Sequence, residues 1–469
     1  MKLTRFLSLM VLVSLLGGCR NSDSEKDHEI DASAGDSDTD SDTDGDADTD
    51  SDADTDTDTD ADTDTDTDAD TDTDTDADTD ADTDADTDAD TDGDTDSCPA
   101  DKTWEGNFSI KDDSDKGELA GYVCIEGDLT ISKADISTLE GLETLVYIQD
   151  DLKFKGNKQV ENFKGLDGLT HIGGSLLISS AIAMPELSDQ STWYVVDNDR
   201  LLNVVGLENL ETVGTLVIED NPKLKALDGL SGLTSVSGNV TIGKWEKGSM
   251  GQNGNGALES ISGLENLRSI GGKLTVTDNN SLRDLSGLGS LANIDGGLRI
   301  GERTGNGAGS SIENLDALSN LLTIGKEITL QYNDELIDIS GLANVSPDTV
   351  IGTVHIWGND VLNNVDGLEN IVAVTGDLSI GYNSLLANID GLTGITDVGD
   401  DCGVWNNEIL DNLDGLLNLK DVGNRLLVED NTILPTCLAN ALETQLTTIG
   451  GEITICGNLP DQCGGEPCP

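Results

Sequence analysis

The chain has 469 residues, with 92 Asp and Glu against 25 Lys and Arg, and a formal net charge of −67 at neutral pH. This balance excludes a nucleic-acid-binding protein, which needs a basic face, and direct adsorption to anionic lipid headgroups. Aromatic residues make up only 3% of the chain, so a local concentration of them carries information.

Residues 1–18 have the organisation of a signal peptide. Lys2 and Arg5 precede an apolar run that is too short to span a bilayer as a stable helix. The run ends in Leu-Gly-Gly-Cys at Cys19, which resembles the bacterial lipoprotein lipobox. The resemblance implies cleavage before Cys19 and lipidation of its thiol; a secretory signal with a chance cysteine is the alternative. Lipoproteins of the inner membrane usually carry Asp where this chain has Arg20, so the resemblance implies the outer membrane, with cell-surface exposure as the expectation.

Residues 19–97 hold an acidic tract in which every even position from Asp36 to Asp96 is aspartate. Such a segment cannot bury apolar surface, so we expect it to be disordered and extended by its own charge. The tract has almost no Gly and no Glu, both of which an EF-hand loop requires. We therefore expect no cofactor, and at most weak, non-specific Ca²⁺ condensation. The tract is predicted to be a spacer, up to roughly 250 Å long when stretched, between a membrane and the domain that follows.

Residues 98–126 are predicted to cap the start of a repetitive domain. An exported protein permits disulfides, and Cys98 and Cys124 flank the segment that would cover the open end of a stack of repeats. The two cysteines are a candidate disulfide pair.

Residues 127–436 are repetitive. One unit is ISGLENLRSIGGKLTVTDNNSL at residues 261–282, and VDGLENIVAVTGDLSIGYNSLL begins at Val365. The second apolar residue of each Leu-x-Ile element, here called the marker, sets a register. The markers are Ile131, Phe154, Ile178, Ile218, Ile242, Val276, Ile300, Leu330, Ile356, Ile380, Val404, Val428 and Ile455. Most are 23 to 27 residues apart, and the longer gaps contain insertions.

The Leu-x-Ile element alternates with the period of a strand that has one buried face. The segments between Gly and Asn are too short for stable helices, and β-branched residues recur in them. Stacked coils of this kind bury their apolar faces only against their neighbours. The sequence therefore predicts an all-β parallel solenoid of about 13 coils of about 24 residues, with residues 437–469 forming the last coil, a C-terminal cap and a Cys-rich tail.

An asparagine follows the marker by three residues in nine coils. At a sharp corner, an inward Asn can satisfy backbone groups that the turn leaves unpaired. The predicted structural ladder consists of Asn157, Asn221, Asn279, Asn333, Asn359, Asn383, Asn407, Asn431 and Asn458. The recurrent Gly-Leu pair, as at Gly287, predicts either a positive φ or a close backbone approach, with Ala317 as the exception.

Four aromatic residues lie one or two positions past the marker on four successive coils. Stacking would bring Tyr332, Trp357, Tyr382 and Trp405 into one ridge beside the Asn corner. Such rings suit the flat faces of sugars and also protein hot spots, which makes the ridge a candidate binding site for a glycan or a surface protein. Rings that merely shield the coil edge are the alternative.

Three insertions, at residues 179–193, 243–256 and 301–311, are predicted to leave the stack as loops. They are either binding loops or tolerated decoration. Cys402 occupies an inward position and is predicted to be a buried free thiol, whereas four further cysteines cluster from Cys437 onward with undetermined pairing. A zinc site there lacks a Cys-x-x-Cys pair or a nearby His. A capping helix is expected near residues 438–446.

The repeat, Gly-Leu-x-x-Leu-x-x-Val-Gly-Gly-x-Leu-x-Ile-x-x-Asn-x-x-Leu, resembles the receptor L domain over about residues 125–460. The resemblance implies a right-handed β-helix and a role in recognition rather than catalysis. Internalin-type leucine-rich repeats are the rival, because they share the Leu-x-Ile-x-x-Asn core.

No catalytic residue is predicted, since the three histidines are far apart in sequence and no nucleophile–base motif is present. The resulting prediction is a non-enzymatic, lipid-anchored surface protein for recognition or adhesion, bound to the membrane through its lipid. A structural envelope spacer without a ligand is the first alternative, and a polysaccharide-acting β-helix enzyme is the second.

Overall fold

The computed structural model describes residues 98–183, 194–243, 254–301, 310–347 and 351–462. They belong to one compact unit whose strands are short and, apart from one antiparallel pair, parallel, which confirms the predicted all-β parallel solenoid. The predicted signal peptide, Cys19 and the acidic tract lie outside the described residues. Within these ranges no helix has both the length and the apolar character to cross a membrane.

The long strands of successive coils contain the markers and form one side of the solenoid. They are Phe108–Asp112, Leu129–Asp135, Leu152–Lys155, His171–Ser179, Thr212–Glu219, Val240–Gly243, Leu274–Val276, Leu298–Ile300, Glu327–Gln331, Thr353–Trp357, Leu378–Gly381, Cys402–Trp405, Leu426–Glu429 and Ile453–Cys456. Markers pair with markers, as Leu330 does with Ile300 and Ile356. The row extends one coil before the first marker, since Ile110 pairs with Ile131.

A second side is formed by two-residue strands. They are Thr103–Trp104, Cys124–Ile125, Tyr147–Ile148, Ser235–Val236, Ser269–Ile270, Asn293–Ile294, Thr323–Ile324, Ala373–Val374, Asp397–Val398, Asp421–Val422 and Thr448–Ile449. These also pair in parallel, coil on coil. In the strands His171–Ser179 and Thr212–Glu219 the chain runs continuously through both sides.

The third side is a turn that often contains a single 3-10 helix. These helices are Asp228–Leu230, Ser262–Leu264, Ser286–Leu288, Asp316–Leu318, Ser340–Leu342, Asp390–Leu392 and Asp414–Leu416, and another, Ala100–Lys102, precedes the first coil. A 3-10 helix has three residues per turn, so leucines three apart point the same way. Leu285, Leu288 and Leu291 are accordingly all buried.

The core is a continuous column of aliphatic side chains inside the coils. The coil from Leu282 to Ile300 contributes seven such residues. Burying each stabilises the fold by roughly 1.5–3 kcal/mol before chain entropy opposes it. The glycine of the Gly-Leu pair serves both predicted purposes. Gly206 has a φ of 109°, whereas a Cβ on Gly287 would overlap the carbonyl oxygen of Ile261 in the preceding coil.

Two helices lie at the ends of the stack. Helix α1, Asp113–Glu118, follows the first long strand and has a capping box between Asp112 and Asp115. Helix α2, Thr436–Gln445, buries Thr436, Ala439 and Leu442. The insertion after Ile178 starts and ends as an antiparallel hairpin of Ala181–Ala183 with Tyr194–Val196.

Candidate functional site

The outward side of the long strands carries an aromatic groove near the C-terminal end of the solenoid. Because side chains alternate along a strand, residues directly before and after the buried markers face outward. Around the markers Ile356 and Val404 these outward residues include His355, Trp357 and Trp405. They line a groove of about 310 Å³.

Trp405 lies flat against the sheet. A Cβ on Gly381 would come within 2.6 Å of the indole of Trp405, and one on Gly403 would also collide with that ring. The two glycines, on their own and the preceding strand, therefore leave the space that the indole fills. One face of the ring is packed on backbone, which leaves the opposite face for a ligand.

Two further rings surround this platform. The ring centroids of Trp357 and Trp405 are 5.8 Å apart at an interplanar angle of 64°, and His355 stacks on Trp357 at 4.9 Å and 25°. Burial lowers the pKa of His355 below its ordinary value of 6.5, and the nearby Asp377 opposes that effect only in part. The imidazole is therefore neutral at neutral pH.

The two tyrosines of the predicted ridge lie at the corner next to this face. Tyr332 and Tyr382 each follow their marker by two residues and have φ values of 53° and 56°. The ring of Tyr332 covers Gly358, whose Cβ would lie 2.6 Å from Cδ1 of the tyrosine. Tyr382 is 56% exposed. The structure thus brings the two tryptophans together on the outward face. The tyrosines stand one residue further from their markers than the tryptophans do, at the corner of their coils.

Charged groups form the remaining rim of the groove. Asp377, Asp401, Arg425 and Glu452 belong to its lining. The Nε of Arg425 donates to Oδ2 of Asp401 at 3.0 Å, and this guanidinium holds the pKa of Asp401 below its usual range. Oδ1 of Asp401 accepts the backbone N–H of Arg425 at 3.0 Å, and Oδ1 of Asp377 accepts that of Asp401 at 3.1 Å.

Three carboxylates at this rim could approach one cation. Oxygens of Asp377, Asp400 and Asp401 lie within 4.8 Å of one another. However, Asp401 already engages Arg425, and both Asp377 and Asp401 accept backbone hydrogen bonds that join one coil to the next. We assign no ion to this group.

The asparagine row follows the C-terminal ends of the long strands, whereas the carboxylates of the rim precede their N-terminal ends. The asparagines are buried. In Asn383, for example, Nδ2 donates to the carbonyl of Ile356 at 3.0 Å, and Oδ1 accepts the backbone N–H of Asn359 at 3.1 Å. The nine asparagines read from the sequence share this environment, and each is at most 3% exposed. The arrangement ties each coil to its neighbours and leaves no surface for a ligand.

Two further asparagines complete the row, and sequence reasoning missed both. Asn198 donates to Oδ1 of Asn221 at 2.8 Å, and Asn255 donates to Oδ1 of Asn279 at 3.3 Å. Asn198 follows one insertion and Asn255 lies near the end of another, so the three-residue spacing from the marker is lost. Both asparagines could have been identified from the apolar residue three positions after the Asn, as Leu201 follows Asn198.

The residue before the buried asparagine commonly adopts a left-handed backbone. Gly, Asn and Asp enter this region at low cost, whereas bulky side chains do so rarely. The positions with positive φ two residues after a marker are Lys133, Gly156, Asp220, Asp278, Tyr332, Gly358, Tyr382, Asn406, Asp430 and Gly457. The tyrosines are the bulkiest members of this set.

The cysteines of the described ranges serve the fold. Cys98 and Cys124 form a disulfide, with Cα atoms 5.8 Å apart. Cys437 and Cys456 each take part in a disulfide bond. Cys402 is free, and its burial raises the pKa of the thiol to about 12. The central parts of the three insertions, like Cys463 and Cys468, lie outside the described residues.

One family model matches part of this chain. Residues 123–229 match the family model of the receptor L domain, which confirms the resemblance for that part of the chain. A solved structure titled as a TLR13–ssRNA13 complex aligns with 77% of this chain and 51% of its own, at 15% sequence identity and a TM-score of 0.26. Among curated proteins none matches the chain.

Proposed function

We propose that this protein is a recognition lipoprotein that binds a glycan in the groove around Trp405. The observation that carries the proposal is the flat indole of Trp405, seated over Gly381 and Gly403 with one face left for a ligand. Flat rings of this kind pack on the apolar faces of sugars and fix a bound chain with little loss of side-chain entropy.

The backbone at Tyr382 supports the same site. A tyrosine in the left-handed region costs roughly 1–2 kcal/mol relative to Gly, and strain of this kind persists where a function requires the side chain. Tyr382 is also more than half exposed. Its ring is therefore available to extend the surface offered by Trp405, past the corner of the coil.

The anchor and the tract complete the proposal. Lipidation of Cys19 would hold the protein at the outer membrane, because several acyl chains anchor firmly where one chain binds marginally. The aspartate-rich tract would then carry the solenoid away from the bilayer. Receptor L domains serve in binding rather than catalysis, which supports a non-enzymatic role. The formal net charge of −67 supports a partner other than nucleic acid.

The experiment that tests this function uses the intact protein in detergent, on a broad glycan array and on whole bacterial cells. The Trp357→Ala, Trp405→Ala double variant is the comparison, and circular dichroism checks that its fold is unchanged. We expect saturable binding by the native protein and its loss in the double variant.

Other outcomes would contradict the proposal in distinct ways. The protein could bind cells but no glycan on the array, and the double variant could retain that binding. This result would indicate that another face of the solenoid recognises a surface protein. The absence of any saturable ligand would favour an envelope spacer. Cleavage of an acidic polysaccharide would replace recognition by an enzymatic function.

A further inference from the structure

The charge around the indole platform narrows the class of ligand. The lining of the groove contains the carboxylates of Asp377, Asp401 and Glu452 but the single guanidinium of Arg425. Arg425 is already paired with Asp401, and His355 is uncharged at neutral pH. A ligand in this groove therefore meets excess negative charge.

A fourth carboxylate adjoins the platform directly. Glu429 lies beside Trp405 on the next strand, in register with it. Burial, followed by the neighbouring Asp430, raises the pKa of Glu429, because both disfavour its ionised carboxylate. A cation placed there would relieve that cost.

An aromatic face next to carboxylates is a site for organic cations. An ammonium group over an indole gains about 0.5–2 kcal/mol from the ring quadrupole, and a charge-assisted hydrogen bond to a carboxylate adds to this. The same surroundings disfavour uronic acids and other anionic sugars, since like charges repel across short distances.

We propose that the groove selects a glycan whose sugars carry free ammonium groups, with a ring face on Trp405 and an ammonium directed at Asp377 or Glu452. This inference rests on the proposed function, because it names the ligand class of the same groove. The volume of about 310 Å³ holds a short stretch of such a chain rather than a folded partner.

The test measures binding of three oligosaccharides of equal length to the intact protein in detergent by titration calorimetry. These are a glucosamine oligomer, its N-acetylated form, and a glucose oligomer with hydroxyls in place of the amines. At pH 6 amines are protonated and ordinary carboxyls are ionised. We expect the glucosamine oligomer to bind at least about tenfold more tightly than the other two, and to weaken as salt is added.

Variants assign the effect to the groove. Asp377→Asn and Glu452→Gln should each weaken binding of the glucosamine oligomer several-fold more than they weaken binding of the neutral oligomers. Glu443→Gln, on the exposed face of α2 and outside the lining, removes an equal charge as the matched control and should change neither.

The outcomes separate this inference from the proposed function. Equal binding of the three oligomers, lost with Trp405→Ala, would overturn the ammonium selectivity and leave the glycan-binding function standing. An oligolysine peptide could bind as tightly as the glucosamine oligomer and lose binding equally in Trp405→Ala. That result would refute a sugar as the ligand and favour a basic peptide. Failure of every glycan would overturn both.

Discussion

The asparagine row and the aromatic groove are built from positions that recur once per coil, yet they are distributed differently. The row runs along the solenoid from Asn157 to Asn458 and is buried throughout. The groove occupies only a few coils near Trp357 and Trp405, and the coil between them carries the small residues Ser379 and Gly381 in register with His355 and Trp357.

This difference shows how to read a repeat protein. A position filled alike in coil after coil meets the same backbone requirement each time, so its residue is set by packing. A position filled by large residues in only a few coils is not required by packing, since the remaining coils fold without them. Departures from the repeat are therefore where binding is expected.

Removal of one asparagine from the buried row is expected to have the largest effect. In Asn383→Ala the backbone N–H of Asn359 loses its acceptor, and the carbonyl of Ile356 loses the amide donor of Asn383. A buried N–H without a partner costs about 1–3 kcal/mol and a lost hydrogen bond about 1 kcal/mol, so we expect the free energy of unfolding to fall by roughly 2–4 kcal/mol. Urea denaturation measures it.

Asn363→Ala, an exposed asparagine of a neighbouring coil, is the control for that variant. It should shift stability by less than about 0.5 kcal/mol. Equal effects at the two positions would mean that the row does not stabilise the solenoid through its hydrogen bonds.

A second pair compares two glycines of one turn. A Cβ on Gly287 would overlap the carbonyl of Ile261, whereas the nearest atom to a Cβ on Gly289 is 3.7 Å away. We expect Gly287→Ala to destabilise by about 1–3 kcal/mol, and Gly289→Ala to be neutral or slightly stabilising because it restricts the unfolded chain. Thermal unfolding compares the two, and a reversed order would refute the close-approach explanation.

Tyr382 tests whether the strained corner belongs to the groove. Tyr382→Asn places a residue suited to positive φ there, so we expect a gain in stability of about 0.5–1 kcal/mol together with weaker glycan binding. Tyr382→Phe keeps the ring and should change neither quantity appreciably. A stabilised variant with undiminished binding would remove Tyr382 from the site.

The smallest expected effect concerns acid. The folded-state pKa of Asp401 lies below its ordinary value of 3.8, so its pairing with Arg425 contributes stability above that pH, which is lost as the pH falls further. Because Arg425 is 63% exposed, we expect less than about 1 kcal/mol. Asp401→Asn should flatten the loss of stability below pH 4, and Asp400→Asn, a neighbouring carboxyl without this guanidinium, is the control.

The sequence sufficed for the architecture because the core repeats strictly. Marker spacing predicts thirteen of the long strands, but it places the strand around Ile110 in a cap. Helix α1 follows that strand at the position where the repeat otherwise has an Asn. Leucines three apart did not predict the 3-10 turns, as that spacing suits several local structures.

The groove was only partly predictable, for a geometric reason. Trp405 follows its marker by one residue and Tyr382 by two, and on a strand of period two that offset changes the direction of a side chain. The four rings were therefore grouped although they divide between a face and a corner. Asp377, Asp401 and Arg425 follow one another at intervals of 24 residues. Only the coil register reveals that they adjoin the same rings.

The disulfide between Cys98 and Cys124 has a mechanical consequence. A pull on the chain from its N-terminal side enters the solenoid at Cys98, and without a cross-link it would peel the first strands away one hydrogen bond at a time. The covalent bridge passes that load directly to Cys124 and the second coil. The parallel stack is then loaded as a block, in which many backbone hydrogen bonds share the force.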